Sequence, residues 1–153
     1  MVEIRKANIN DLKEIQMLNH KLFEKEKKEF DSTLDCSWPL GEEGTQYFKD
    51  RIEKNGLALI AEDEGKIIGY LVGAKTEIES YREKNSIAEL ENMVVLEEYR
   101  SKGIGTKLTN EFLNWAKNFD IIKVKASAQN KKGINFYRKL GFLDYDITLE
   151  KRK

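Results

Sequence analysis

One proline, one cysteine and one histidine stand among 153 residues. The lone cysteine, Cys36, excludes an intrachain disulfide and any zinc site built on cysteine pairs. The lone histidine, His20, supplies at most one imidazole, so no metal ligand set is visible. No apolar run approaches the ~20 residues of a membrane-spanning helix. The opening Met1-Val2-Glu3-Ile4-Arg5 has none of the apolar core of a secretory leader. These absences predict a soluble cytoplasmic protein with no membrane partner and no metal. An excess of one charge is also missing. Lys plus Arg equals Asp plus Glu at 27 each, a formal net charge of zero, so the total gives no reason to expect nucleic acid.

What is present is a heavily charged surface, 35% Asp, Glu, Lys and Arg against the usual value of about 25%. A chain of this length can bury roughly 70% of the surface of its unfolded form. No repeat or linker divides it, so residues 1–153 read as a single domain. Val2 to Arg5 alternates as a strand. Asn8 and Asp11 form a variant capping box before a helix with Leu12, Ile15, Leu18 and Leu22 on one face, running to about Lys28. Periodicity is lost from Glu29 to Gly44, and a second helix is expected from Thr45 to Asn55 with Gly56 as its stop. Leu57–Ala61 and Ile67–Ala74 flank the hairpin signal Asp63-Glu64-Gly65-Lys66. A polar connection, Glu77 to Asn85, leads to a strand over Ala88–Val95. A helix presenting Ile104, Leu108, Phe112 and Trp115 follows. Then come a strand over Ile122–Ala126, a helix over Asn130–Leu140 stopped by Gly141, and a closing strand over Phe142–Leu149. The order β-α-α-β-β-β-α-β-α-β is that of a mixed α/β domain.

The most informative segment is Arg100-Ser101-Lys102-Gly103-Ile104-Gly105-Thr106, between a strand and a helix start. Glycines allow a tight turn and close approach of backbone to a ligand. The first turn of a helix offers unpaired N–H groups and partial positive charge, which favour an anion. Arg100 and Lys102 add full charges, so the segment predicts a phosphorylated ligand. The spacing does not supply G-x-x-x-x-G-K-[ST], and G-x-G-x-x-G fails at Leu108. Both nucleotide motifs are therefore poor matches.

The same residues resemble the GNAT superfamily of N-acetyltransferases, whose hallmark [RQ]-x-x-G-x-[GA] stands here as Arg100-Ser101-Lys102-Gly103-Ile104-Gly105. A second block, Asn130-Lys131-Lys132-Gly133-Ile134-Asn135-Phe136-Tyr137-Arg138-Lys139-Leu140-Gly141-Phe142, is similar to the family's late N-x-x-A-x-x-F-Y-x-x-x-G-F segment, with Gly133 in place of the commoner alanine. The resemblance implies a central mixed, mostly antiparallel sheet flanked by helices and splayed at an acetyl-CoA site. It implies that the pyrophosphate lies on the N–H groups from Lys102 to Thr106 and that Met93, Val94 and Val95 meet the pantetheine arm through their backbone. Asn130 corresponds to a residue that contacts the CoA arm. A homodimer is the family-level expectation.

Direct acetyl transfer to an amine poses two proton problems. An amine of lysine type, with a pKa near 10.4, is almost wholly protonated at neutral pH, and the departing thiolate benefits from a proton. The resemblance makes Tyr137 the general acid. It offers Glu91, on the strand that leads into the loop, as a base acting through water. Glu89 shares that face by alternation and is the other candidate. The N–H of Val95 is the expected donor to the tetrahedral oxyanion. Trp38, Tyr47 and Phe48 either wall the acceptor site or pack the second helix, and Asp31, Asp35, Glu42 and Glu43 make the preceding loop acidic. The expected activity is transfer from acetyl-CoA to a primary amine on a small molecule. The alternatives are a protein N-terminal or lysine acetyltransferase and a noncatalytic acyl-CoA sensor or interaction module.

Overall fold

The computed structural model describes residues 1–153. Nine elements carry the architecture: β1 (Val2–Lys6), α1 (Leu12–Glu29), α2 (Glu42–Glu53), β2 (Leu57–Asp63), β3 (Lys66–Thr76), β4 (Ile87–Val95), α3 (Ile104–Trp115), β5 (Ile121–Val124) and α4 (Lys131–Lys139). The strands form one open sheet in the order β1-β2-β3-β4-β5. Neighbours are antiparallel except β4 and β5, which run parallel. That single parallel pair follows from the α3 crossover between its strands, which returns the chain to the same end of the sheet.

Both faces of the sheet are covered. On one face Leu59, Leu71, Ala88 and Leu90 pack with Ile104, Leu108 and Phe112 of α3. On the other, Ala58, Ile60, Tyr70, Val72 and Val94 pack with Ile15 and Leu18 of α1 and Phe48 of α2. The near-continuous apolar reading of β2 and β3 reflects this burial on both sides.

The β3–β4 register shifts between Val72 and Gly73, which face Asn92 and Leu90. Glu91 is therefore the extra residue of a β-bulge. Ala88 and Leu90 face the α3 core, whereas Val94 faces the opposite one. The bulge reverses the strand's alternation at this point.

Three sequence expectations need correction. The second helix begins at Glu42, three residues before Thr45, with Glu42 and Glu43 in its first turn, where acidic side chains complement the helix dipole. The fifth strand is Ile121–Val124 and does not reach Ala126. The closing strand over Phe142–Leu149 does not form, because no strand lies beside it. The last backbone hydrogen bond of the chain is from Phe142 N–H to the Tyr137 carbonyl, 3.1 Å. No helix is long and apolar enough to cross a membrane.

Entry into α1 is fixed electrostatically. Arg5 on β1 donates to both oxygens of Asp11, at 2.9 and 3.1 Å, and Asp11 also accepts from the N–H of Asn8 at 2.8 Å. The Arg5 guanidinium, aided by that N–H and opposed by burial, holds the Asp11 carboxyl below its usual range. A carboxyl depressed in the folded state contributes its stability above the unfolded pKa, near 3.9, and loses it as pH falls through the folded value. Asp11→Asn is expected to cost about 1–2 kcal/mol at neutral pH. In urea titrations the difference from wild type should shrink below about pH 4; a difference independent of pH would contradict the assignment.

Candidate active site

The glycine loop has a backbone whose N–H groups are left without partners. Beyond β4 the chain makes a short 3-10 turn at Glu97–Tyr99. Ser101 and Gly103 then take left-handed conformations at φ +63° and +80°. Left-handed residues of this kind can turn successive N–H groups toward one side of a loop. The backbone N–H groups of Ser101, Lys102, Gly103, Ile104, Gly105 and Thr106 donate to no acceptor in the protein; the first bond of the helix is Lys107 N–H to the Gly103 carbonyl. A Cβ at Gly103 would meet nothing within 4 Å, so the space beside that residue is open. Both cations that the sequence places at this loop make local contacts. Arg100 turns back, its Nε donating to the Val95 carbonyl at 2.9 Å. Lys102 lies over the Tyr99 ring, 5.5 Å from its centroid.

The sheet splays immediately before this loop. β4 pairs with β5 only from Ile87 to Leu90, the last partner being Val124. Residues 91–95 therefore have a free edge. The bond from Leu96 N–H to the Ile68 carbonyl, 2.9 Å, sets the phase of the β3 ladder. Because antiparallel pairs alternate, Val94 turns its N–H and C=O toward β3 and Met93 and Val95 turn theirs to the open edge. Val95 and Met93 thus present backbone groups at the free edge. Val94 does not, since its backbone serves the ladder and its side chain is buried.

Helix α4 approaches the loop through Phe136. Asn130 caps it, its side-chain oxygen accepting from the Gly133 N–H at 3.0 Å; this local bond is what the structure shows for Asn130. Phe136 and the Met93 methyl lie 3.6 Å from the position a Cβ at Gly105 would take, so the loop, the open edge and α4 converge at Met93. Tyr137 packs against the α3-side core and edge-on to Phe136 and Phe142, at 5.1 and 5.7 Å between centroids. Burial pushes its phenol up to about 12. The hydroxyl makes no hydrogen bond within the protein and is not sealed from solvent. It is a protonated, uncommitted donor.

Glu91 is differently placed. Oε1 accepts from Arg51 Nε at 2.6 Å and from the Tyr47 hydroxyl at 2.8 Å, and Oε2 accepts from Arg51 Nη2 at 2.9 Å. A carboxylate has about four acceptor positions, so one remains on Oε2. Glu89 pairs with Lys123 at 3.6 Å. The bulge brings Asn92 to the same face as Glu91. There its oxygen accepts from the Tyr70 hydroxyl, which itself accepts from Asn19 Nδ2 at 2.8 Å, while Asn92 Nδ2 donates to Tyr47 at 3.3 Å. A polar chain thus crosses the sheet face from α1 to α2. Burial, and for Tyr47 the Glu91 carboxylate, raise both phenols well above their ordinary value. Sequence reasoning did not assemble Asn19, Arg51, Tyr70 and Asn92. The available signal was Asn92, a polar residue in register with the apolar Ala88, Leu90 and Val94.

The remaining candidates are engaged locally. Trp38 stacks on Phe23 at 5.8 Å and lies 5.7 Å from Tyr47, so it packs α1 against α2. His20 Nδ1 bonds the Cys36 carbonyl at 2.7 Å and its Nε2 faces Glu24 at 3.3 Å. Asp31 and Asp35 accept from Thr33 and Ser37, which hold their carboxyls below the usual range.

Comparison with known proteins agrees with this geometry. The model of the acetyltransferase (GNAT) family matches residues 17–142. An uncharacterised N-acetyltransferase of Methanocaldococcus jannaschii is 32% identical over 91 residues, covering 58% of this chain and 40% of that protein. The chain thus spans well under half the length of that curated relative. Among solved structures, a mutant of a Bacillus halodurans protein superposes with a TM-score of 0.85 at 22% identity, covering 99% of each chain. An aminoglycoside N-acetyltransferase in complex with CoA superposes with a TM-score of 0.77 at 18% identity, covering 100% of this chain and 95% of that one.

Proposed function

The chain belongs to the acetyltransferase (GNAT) family, and from that premise we propose that it transfers the acetyl group of acetyl-CoA directly to a primary amine carried by a small molecule. The observation that carries this reading is the run of six unpartnered N–H groups from Ser101 to Thr106 at the start of α3. Such a run suits a pyrophosphate, and the free β4 edge beside it suits the amide-bearing pantetheine arm. The N–H of Val95 is the donor assigned to the oxyanion that forms as the amine attacks. Tyr137 donates to the departing sulfur. Glu91 holds one water on its remaining acceptor position, and the amine's proton passes through that water to the carboxylate. Residues 1–153 act as one domain in this scheme.

The acceptor is assigned to the face bounded by α1, α2 and the bulge. The packing of Trp38 between Phe23 and Tyr47 favours a small amine over an extended peptide, because it ties the α1–α2 connection down beside that face. Gly103→Val tests the phosphate cradle. A β-branched residue at φ +80° is strained by about 1–3 kcal/mol, so acetyl-CoA should bind roughly 10- to 100-fold more weakly in calorimetric titration. Wild-type affinity in the variant would remove the loop from the site.

A further inference from the structure

The polar chain on the sheet face has a direction, and Glu91 sets it. A carboxylate only accepts, so the Tyr47 hydroxyl, 2.8 Å from Oε1, gives its single proton there. The Tyr47 oxygen is then the acceptor for Asn92 Nδ2 at 3.3 Å. That contact orients the Asn92 amide, whose oxygen takes the proton of the Tyr70 hydroxyl. The Tyr70 oxygen in turn accepts from Asn19 Nδ2 at 2.8 Å. Every donor in the chain therefore points toward Glu91. Burial raises both phenols well above their ordinary value, so each keeps the proton it donates.

This order leaves a mark at its far end. Asn19 is 1% exposed, and its Oδ1 is buried without a hydrogen-bond partner. An unpaired buried acceptor is destabilising. Turning the Asn19 amide would pair that oxygen only by drawing the Tyr70 proton away from Asn92. The chain keeps its direction and leaves the acceptor unpaired.

The consequence at Glu91 is a single vacant acceptor position. Arg51 Nε and the Tyr47 hydroxyl fill Oε1, and Arg51 Nη2 takes one of the two positions on Oε2. With the Asn92 amide turned over, its oxygen would face Tyr47 and take the hydroxyl proton. A second position would then open on Oε1, and a bound water would divide between two oxygens. The Tyr70 hydroxyl prevents this by holding the Asn92 oxygen on its own side. Tyr70 is wholly buried and packs edge-on to Phe48 at 6.0 Å, so it reaches the site only through Asn92.

We propose that Tyr70 is a positioning residue for acetyl transfer, fixing the Asn92 amide so that the Tyr47 proton stays on Glu91 and one acceptor position remains for the relay water. The proposal rests on the reading of Glu91 as the base that works through water. Proton transfer and attack depend steeply on placement, and a shift of about 1 Å can lower a rate about 100-fold.

The test uses the full chain and a double-mutant cycle. Free-thiol release is measured at saturating acetyl-CoA with one fixed pool of primary amines, amino acids, polyamines and peptides. Tyr70→Phe keeps the buried ring and should lower the rate about ten-fold, with acetyl-CoA affinity by calorimetry within about two-fold of wild type. Glu91→Gln should lower the rate about 100-fold. The double variant should be no slower than Glu91→Gln alone, because the effect of Tyr70 passes through Glu91; independent losses would multiply to about 1,000-fold. Tyr47→Phe removes the last donor of the chain. It should reproduce the Tyr70→Phe loss and likewise add nothing to Glu91→Gln, and it carries the test if Tyr70→Phe does not fold. Wild-type rates in the folded tyrosine variants, or losses that multiply with that of Glu91→Gln, overturn the positioning role and leave Glu91 as the base. A wild-type rate in Glu91→Gln overturns the reading of Glu91 and this proposal with it.

Discussion

Tyr137→Phe is expected to lower kcat by at least about 100-fold while acetyl-CoA affinity stays within a few-fold. The ring packs against Phe136, Phe142 and the α3-side core, and phenylalanine keeps that packing. Only the hydroxyl is lost, and it bonds to nothing else in the protein. With the phenol raised to about 12 by burial, Tyr137 keeps its proton throughout the working range. Full transfer to a thiolate of ordinary pKa near 8.5 would run uphill by roughly 4–5 kcal/mol. Its contribution is therefore a hydrogen bond that strengthens as charge grows on sulfur, with solvent completing the protonation. The sign for pH follows: the loss in Tyr137→Phe should be constant from about pH 6 to about pH 9, because the wild-type group does not titrate there. A kcat ratio near one, or a ratio that changes across that range, would remove Tyr137 from this role.

Arg51→Ala is expected to cost about 2–3 kcal/mol, more than a surface ion pair, because it strands the Glu91 carboxylate. Both side chains are largely sheltered, 17% and 22% exposed, and Arg51 supplies two of the three bonds that Glu91 accepts. For a chain of this size the loss corresponds to a fall in Tm of roughly 4–12 °C. Glu91→Gln separates structure from chemistry. The amide still accepts from Tyr47 and packs in the same volume, so it should cost less stability than Arg51→Ala. It should nevertheless lower kcat by about 100-fold if Glu91 relays the amine's proton through water. Full activity in stably folded Glu91→Gln would leave Glu91 as an anchor for α2 and assign the base to solvent.

Parts of the site were legible because they are local. Arg100 to Thr106 carries its own backbone instruction, and Asn130 and Tyr137 fall in the one short block, at the cap of α4 and within it, through which the family resemblance picked them out. The order of the elements followed from periodicity, down to the hairpin at Asp63–Lys66. The polar chain on the opposite face was not legible, because Tyr47 and Glu91 are separated by 44 residues and meet only once α2 is laid across the sheet. The bulge at Glu91 added to this: alternation placed Glu89 and Glu91 together correctly and gave no sign that Asn92 would join them. Alternation also misled at the end of the chain. Phe142–Leu149 has the pattern of a strand, yet a strand is defined by its neighbour, and here there is none.

The most direct test of the central claim is release of free CoA thiol from acetyl-CoA by the folded protein, measured against pooled amines, amino acids, polyamines and peptides. The account predicts release that depends on a small primary amine and is lost in Tyr137→Phe. Protein that binds acetyl-CoA yet releases no thiol with any of these acceptors would contradict it and would favour a noncatalytic acyl-CoA sensor.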